Sequence, residues 1–136
     1  MNIEWDEVSD KAELEKNTSS YFLLHFWMEN MEQGKNIIDF FLARNYKNIA
    51  IYGLGILGRH LRDQLVKNNA KIVYCFDKGK ICCEDGDYDI EKKIDALPIP
   101  DVIVVTPIME YITIKENLKQ YIDTNIVSLE EVIRSI

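Results

Sequence analysis

The stretch Gly53-Leu54-Gly55-Ile56-Leu57-Gly58 carries three glycines at the spacing G-x-G-x-x-G, and an acidic residue, Asp77, follows the last of them by about 20 positions. The spacing has a chemical use when the run joins a strand to a helix. A glycine at 53 lets the chain turn sharply, one at 55 lets a pyrophosphate approach the backbone with no Cβ in the way, and one at 58 lets the helix pack closely on the strand. The helix N-terminus then offers unpaired N–H groups and a positive dipole end to the phosphates. Asp77, ending the next strand, is placed to accept hydrogen bonds from an adenosine ribose. The expected cofactor-binding set is therefore Gly53, Leu54, Gly55, Ile56, Leu57, Gly58 and Asp77, with two flanking candidates, Lys78 and Thr106. Asp77 favours NAD over NADP, because a carboxylate repels a ribose 2′-phosphate, whereas Lys78 and Lys80 suit a phosphate. Arg59, directly after the third glycine, either reaches a phosphate or faces water.

Catalytic groups are scarce. His60 lies on the helix after the glycines but off its apolar face, and His25 falls in an aromatic stretch where a satisfied surface or interface role is the commoner one. Tyr111 and Lys115 have a YxxxK spacing, without the upstream serine that usually accompanies it in short-chain dehydrogenases. Cys75, Cys82 and Cys83 form no CxxC, and Glu84 and Asp85 beside the adjacent pair should raise thiol pKa values, so reduced structural cysteines are expected. No metal-ligand cluster and no nucleophile-plus-base arrangement is readable.

The elements that must position the glycine turn follow from hydrophobic patterning. Ile49 to Tyr52 is a short apolar run bounded by glycine, as in a buried parallel strand, and Leu57, Leu61 and Leu65 recur every four residues on the helix after it. Lys71 to Phe76 is a second strand, Asp101 to Thr106 the clearest strand, and Asn125 to Val127 a last short one. Glu110 to Tyr121 reads as a helix, as does the segment opened by Ser128 and Glu131 in capping-box spacing. Lys78 to Lys93 is polar and irregular and is expected to be a loop with at most a minor strand near Tyr88-Asp89-Ile90. Ahead of this pattern lie two helices. Tyr21 to Met31 is apolar over more of its circumference than one buried stripe needs, and Asn36 to Arg44 ends at Asn45-Tyr46. The expected fold is α/β, a Rossmann-like parallel sheet of about four to five strands in the order 3-2-1-4-5, preceded by N-terminal helices. Residues 1–46 form a helical segment packed on a nucleotide-binding domain at 47–136.

A length of 136 residues with 47% hydrophobic content suits one core, and a net charge of −7 with scattered basic residues argues against nucleic-acid or anionic-membrane partners. The acidic start, Met1 to Glu7, lacks the apolar core of a signal peptide, and no apolar run reaches the ~20 residues of a membrane span, so a cytoplasmic location is expected.

From about Asn36 onward, the run Lys47 to Leu61, the Asp77 strand end, Asp101 to Pro107 and the closing Ile126 to Ile133 resemble small bacterial Rossmann domains that accompany cell-surface polysaccharide and sugar-modification enzymes. The regulatory nucleotide-binding domains of potassium transporters are similar through the glycine turn and Asp77 alone. The resemblance implies nucleotide or nucleotide-sugar binding within glycan assembly and names no reaction. Since the chain has one complete βαβ half and a shortened second half, the leading expectation is an NAD(H)-type nucleotide-binding module acting as a sensor or accessory subunit, with NADP or a nucleotide sugar as other ligands. Two alternatives are an oxidoreductase or sugar epimerase subunit completed by a partner chain, and a non-catalytic interaction scaffold. The surplus apolar residues Phe22, Phe26, Trp27 and Met31 point to a homodimer through Tyr21 to Met31.

Overall fold

The computed structural model describes residues 7–136. The acidic N-terminal stretch read above for a missing signal peptide lies, except for Glu7, outside the described residues.

A six-stranded sheet forms the centre. Its strands are β1 (Asn48–Tyr52), β2 (Lys71–Asp77), β3 (Lys80–Cys83), β4 (Gly86–Asp89), β5 (Val102–Val105) and β6 (Asn125–Ser128), and they lie in the order β4-β3-β2-β1-β5-β6. β2, β1, β5 and β6 are mutually parallel, while β3 and β4 run antiparallel to their neighbours. The expectation of four to five parallel strands in the order 3-2-1-4-5 is therefore corrected: the third parallel strand is replaced by a hairpin. Asp77 pairs with Lys80 across only two residues, Lys78 (φ 53°) and Gly79 (φ 75°), both left-handed, as a type I′ turn requires. A parallel neighbour would need a crossover of about a dozen residues, which this junction does not contain. A second tight turn at Glu84-Asp85 joins β3 to β4, with Gly86 at φ 140°. The segment 78–93, expected to be a loop, thus holds two strands and the short helix α4 (Ile90–Lys93), which runs into a 3₁₀ turn at Ile94–Ala96.

Alternation along the central strands sorts the core into two layers. Ile49 and Ile51 of β1 and Val102 and Val104 of β5 face one side, where they meet Leu57, Leu61 and Leu65 of α3 (Ile56–Lys67) and Leu129, Val132 and Ile133 of α6 (Leu129–Arg134). Ala50, Ile103 and Val105 face the other, against Ile90 and Ile94, and Leu118 of α5 (Tyr111–Leu118). Burying each such leucine or isoleucine stabilises the fold by roughly 2 kcal/mol. The stop expected at Asn45-Tyr46 holds, with Asn45 at φ 57° after α2 (Ile38–Ala43); Asn69 at φ 60° ends α3 in the same way, and the Ser128 hydroxyl accepts the Glu131 N–H at 3.1 Å to start α6.

Cys75 and Cys82 are directly opposed across β2 and β3, and all three thiols are free. Burial pushes the Cys75 thiol up from 9.0 to about 11, with Cys82 adding to it; Cys82 and Cys83 are also raised, first by burial and then, for Cys82, by Asp87. The thiolate is the reactive form, so the Cys75 rise cuts its reactive fraction about 100-fold. Alkylation at pH 8 followed by peptide mass spectrometry should leave Cys75 unlabelled in the folded protein for about 100 times as long as in urea. Equal rates in both would contradict this burial.

The N-terminal helix, α1 (Glu7–Glu32), is far longer than the Tyr21 to Met31 expected. Leu23 and Trp27 are in the same core as Ile49 and Leu61, and the buried Asn30 donates its Nδ2 to the Ile133 carbonyl of α6 at 3.1 Å. Phe40 and Phe41 of α2 join that core too, so the segment at 1–46 shares its core with the sheet domain as far as it is described.

Candidate functional site

Gly53 ends β1 with φ 95°, and its N–H donates to the Phe76 carbonyl of β2 at 2.8 Å. A Cβ there would lie 2.7 Å from Thr106 Oγ1 and 2.9 Å from Pro107 Cδ, so both backbone and space demand glycine. Gly58 sits in the first turn of α3, and a Cβ on it would fall 1.8 Å from the Gly53 carbonyl oxygen, which explains the third glycine as helix-on-strand packing. Gly55 differs. Its φ of −71° is ordinary for any residue, and a Cβ would meet no atom within 4 Å.

Gly55 is the N-cap of α3, and no side chain among the described residues caps this helix. The first-turn N–H groups of any helix lack intrahelical acceptors, so here they are offered outward at the carboxyl edge of the sheet. Above them is a cleft of about 430 Å³, lined by Gly53, Gly55, Ile56, Leu57, Gly58, Asp77, Thr106 and Pro107 from the sheet domain. Its opposite wall comes from α1.

Most of the expected set is therefore gathered at one place. Asp77 Oδ1 accepts the Leu54 N–H at 3.3 Å, which ties the end of β2 to the glycine turn and leaves a second carboxylate oxygen without a protein donor among the described residues. Leu54 turns its side chain to the core and contributes only that N–H. Thr106 lines the cleft, but its hydroxyl lies 2.8 Å from the Gly53 carbonyl and 3.0 Å from that of Tyr52, so it holds the turn in shape. Lys78 forms the exposed hairpin turn after Asp77 and is not among the residues lining the cleft. Lys80 is occupied by Asp89 on β4, whose carboxyl it holds below the usual range. Arg59 folds back on its own helix start, with Nε 3.4 Å from the Gly55 carbonyl.

The remaining candidates lie elsewhere. His60 is exposed, and His25 is exposed and pairs with Glu29 at 3.1 Å. The Tyr111 hydroxyl donates to the Ile126 carbonyl at 3.0 Å and Lys115 stands over the Tyr111 ring, so this pair fastens α5 to β6. No group of three or more metal-ligating side chains occurs among the described residues, and no described helix is long and apolar enough to cross a membrane.

Lys16, Asn17, Ser20, Tyr21 and Leu24 of α1 complete the cleft and were not anticipated as site residues. Tyr21 and Leu24 stand out in the sequence only as apolar surplus, and nothing local reveals that this helix crosses the glycine turn. Lys16 pairs with Glu110, next to α5, at 3.4 Å, and the Ser19 hydroxyl is 3.8 Å from the Met109 sulfur. The first half of α1 is thus held over the exit of β5. Comparison with protein-family models, with curated proteins and with solved structures finds no match to this chain.

Proposed function

We propose that this chain is a nucleotide-binding module whose glycine turn receives the phosphates of a nucleotide, NAD(H) and nucleoside diphosphates sharing the chemistry such a turn recognises. One observation carries this reading. Packing and backbone conformation account for Gly53 and Gly58, whereas nothing in the fold requires Gly55, which keeps open the space directly above the uncapped start of α3. Asp77 in the same cleft supplies the acceptor for a ribose hydroxyl. Among the described residues, the cleft lining has no histidine, no cysteine and no cluster of carboxylates, which favours a sensor or accessory role over a self-contained catalyst. Surface-polysaccharide assembly, suggested by the resemblance alone, is the setting in which a catalytic partner would be sought. Calorimetric titration with nucleotides tests the reading, and Gly55→Val is its decisive control.

A second reading concerns association. Leu14, Tyr21 and Met28 recur every seven residues along α1 and are all exposed, with Leu24 and Met31 also seven apart. A seven-residue apolar repeat is the seam by which helices pair, and a seam on one helix is complementary to its own copy. A homodimer through α1 is the proposed assembly, now centred on Leu14, Tyr21 and Met28, since Trp27 is spent in the core and Phe26 is partly covered by Arg134. Light scattering should give twice the chain mass for the native protein and the monomer mass for Met28→Glu. A monomer at high concentration for both would remove the proposal.

A further inference from the structure

The carboxyl edge of the sheet is divided in two by α1. On one side of the helix is the 430 Å³ cleft over the glycine turn, walled by Lys16, Asn17, Ser20, Tyr21 and Leu24. On the other is a separate cavity of about 480 Å³, where Ser19, Phe22 and Leu23 face Ile108, Met109 and Arg134. Ser19 and Lys16 fasten the helix between them, on Met109 and Glu110. In an open parallel sheet a dinucleotide runs across the switch between the two strands that leave the centre in opposite directions, here from β1 toward the exit of β5. That is the line α1 occupies.

We infer that the glycine turn takes a nucleotide with a single base, a nucleoside 5′-diphosphate or a group linked to one, and excludes an extended dinucleotide. This rests on the nucleotide reading of the turn and specifies its ligand class. The ribose lies toward Asp77, the phosphates lie over Gly55 and the first turn of α3, and Lys16 is the cation among the described residues that line the cleft. Lys16 has a carboxylate partner in Glu110, at 3.4 Å. Phosphate and Glu110 therefore compete for one ammonium, and the ion pair sets how strongly a distal phosphate is held.

Calorimetry with ADP, GDP, CDP, UDP and NAD on the full chain tests this. At least one of the four diphosphates should bind at least about tenfold more tightly than NAD, Lys16→Ala should weaken that binding about tenfold and flatten its salt dependence, and Glu110→Gln should tighten it about threefold. NAD binding as tightly as the best diphosphate would overturn the single-base assignment while leaving the turn as a phosphate site. Unchanged affinity and salt dependence in Lys16→Ala would overturn the role of Lys16. No binding by any of the five would defeat the nucleotide reading itself, and this inference with it.

Discussion

Gly58→Ala is expected to lower the stability of the fold by roughly 3 kcal/mol, the upper end of what overpacking commonly costs, and to depress the melting temperature by about 10 °C. The added Cβ would sit 1.8 Å from the Gly53 carbonyl oxygen, a backbone atom with little freedom to retreat. Gly53 is fixed from several sides: its N–H is bonded to Phe76, its carbonyl receives the Thr106 hydroxyl, and Pro107 fills the space where its Cβ would be. Relief would have to come from lifting α3 off β1, which would unpack Leu57, Leu61 and Leu65 together. Thermal denaturation followed by circular dichroism measures the loss directly. A fall of less than about 3 °C would mean that helix and strand are not in the close contact described.

Gly55→Val should give the opposite pattern. The side chain enters open space with an ordinary φ, so the stability change is expected to stay under about 1 kcal/mol, the scale of a helix-cap substitution. Its methyl groups would occupy the position proposed for phosphate oxygens at the N–H groups of α3, and nucleotide affinity should fall at least about 100-fold, equivalent to about 2.7 kcal/mol. Calorimetric titration beside a melting curve reads both quantities in one variant. If affinity survives while stability is kept, the space above Gly55 is not where phosphate binds. The pair of variants separates the packing role of Gly58 from the phosphate-binding role proposed for Gly55, three residues earlier.

The glycine turn and its flanking strands were legible because their signals are local and strong. Ile49 to Tyr52 is apolar on successive residues, Leu57, Leu61 and Leu65 keep helical spacing, and the asparagines at 45 and 69 take the left-handed conformation that ends a helix. The hairpin was hidden by its composition. Between Lys78 and Asp89 only Ile81 is fully buried, so hydrophobic alternation has almost nothing to register. Turn chemistry was the better guide: Lys78-Gly79 between strand residues, and Asp85-Gly86 shortly after, are hairpin signals that polarity alone reads as loop. The extent of α1 was obscured in a similar way. Residues 13–20 include no buried side chain, yet residues 7–20 contain no proline or glycine and several straight-chain residues that favour helix, and the contacts of Lys16 and Ser19 with Glu110 and Met109 join positions about 90 residues apart. Such contacts set the wall of the cleft, and no local pattern encodes them.

Both borders of the sheet are strands of four residues, β4 on one side and β6 on the other. β4 presents Asp87 and Asp89 along a stretch that begins at a glycine with φ 140°, and its outer rim is therefore short and acidic. A rim of that kind is a poor template for a foreign strand, since repulsion and poor register oppose each added hydrogen bond. The substitution of a charged hairpin for a third parallel strand thus blunts a border that would otherwise invite lateral growth. Crowded copies of this chain therefore meet a barrier to association through the β4 border of their sheets.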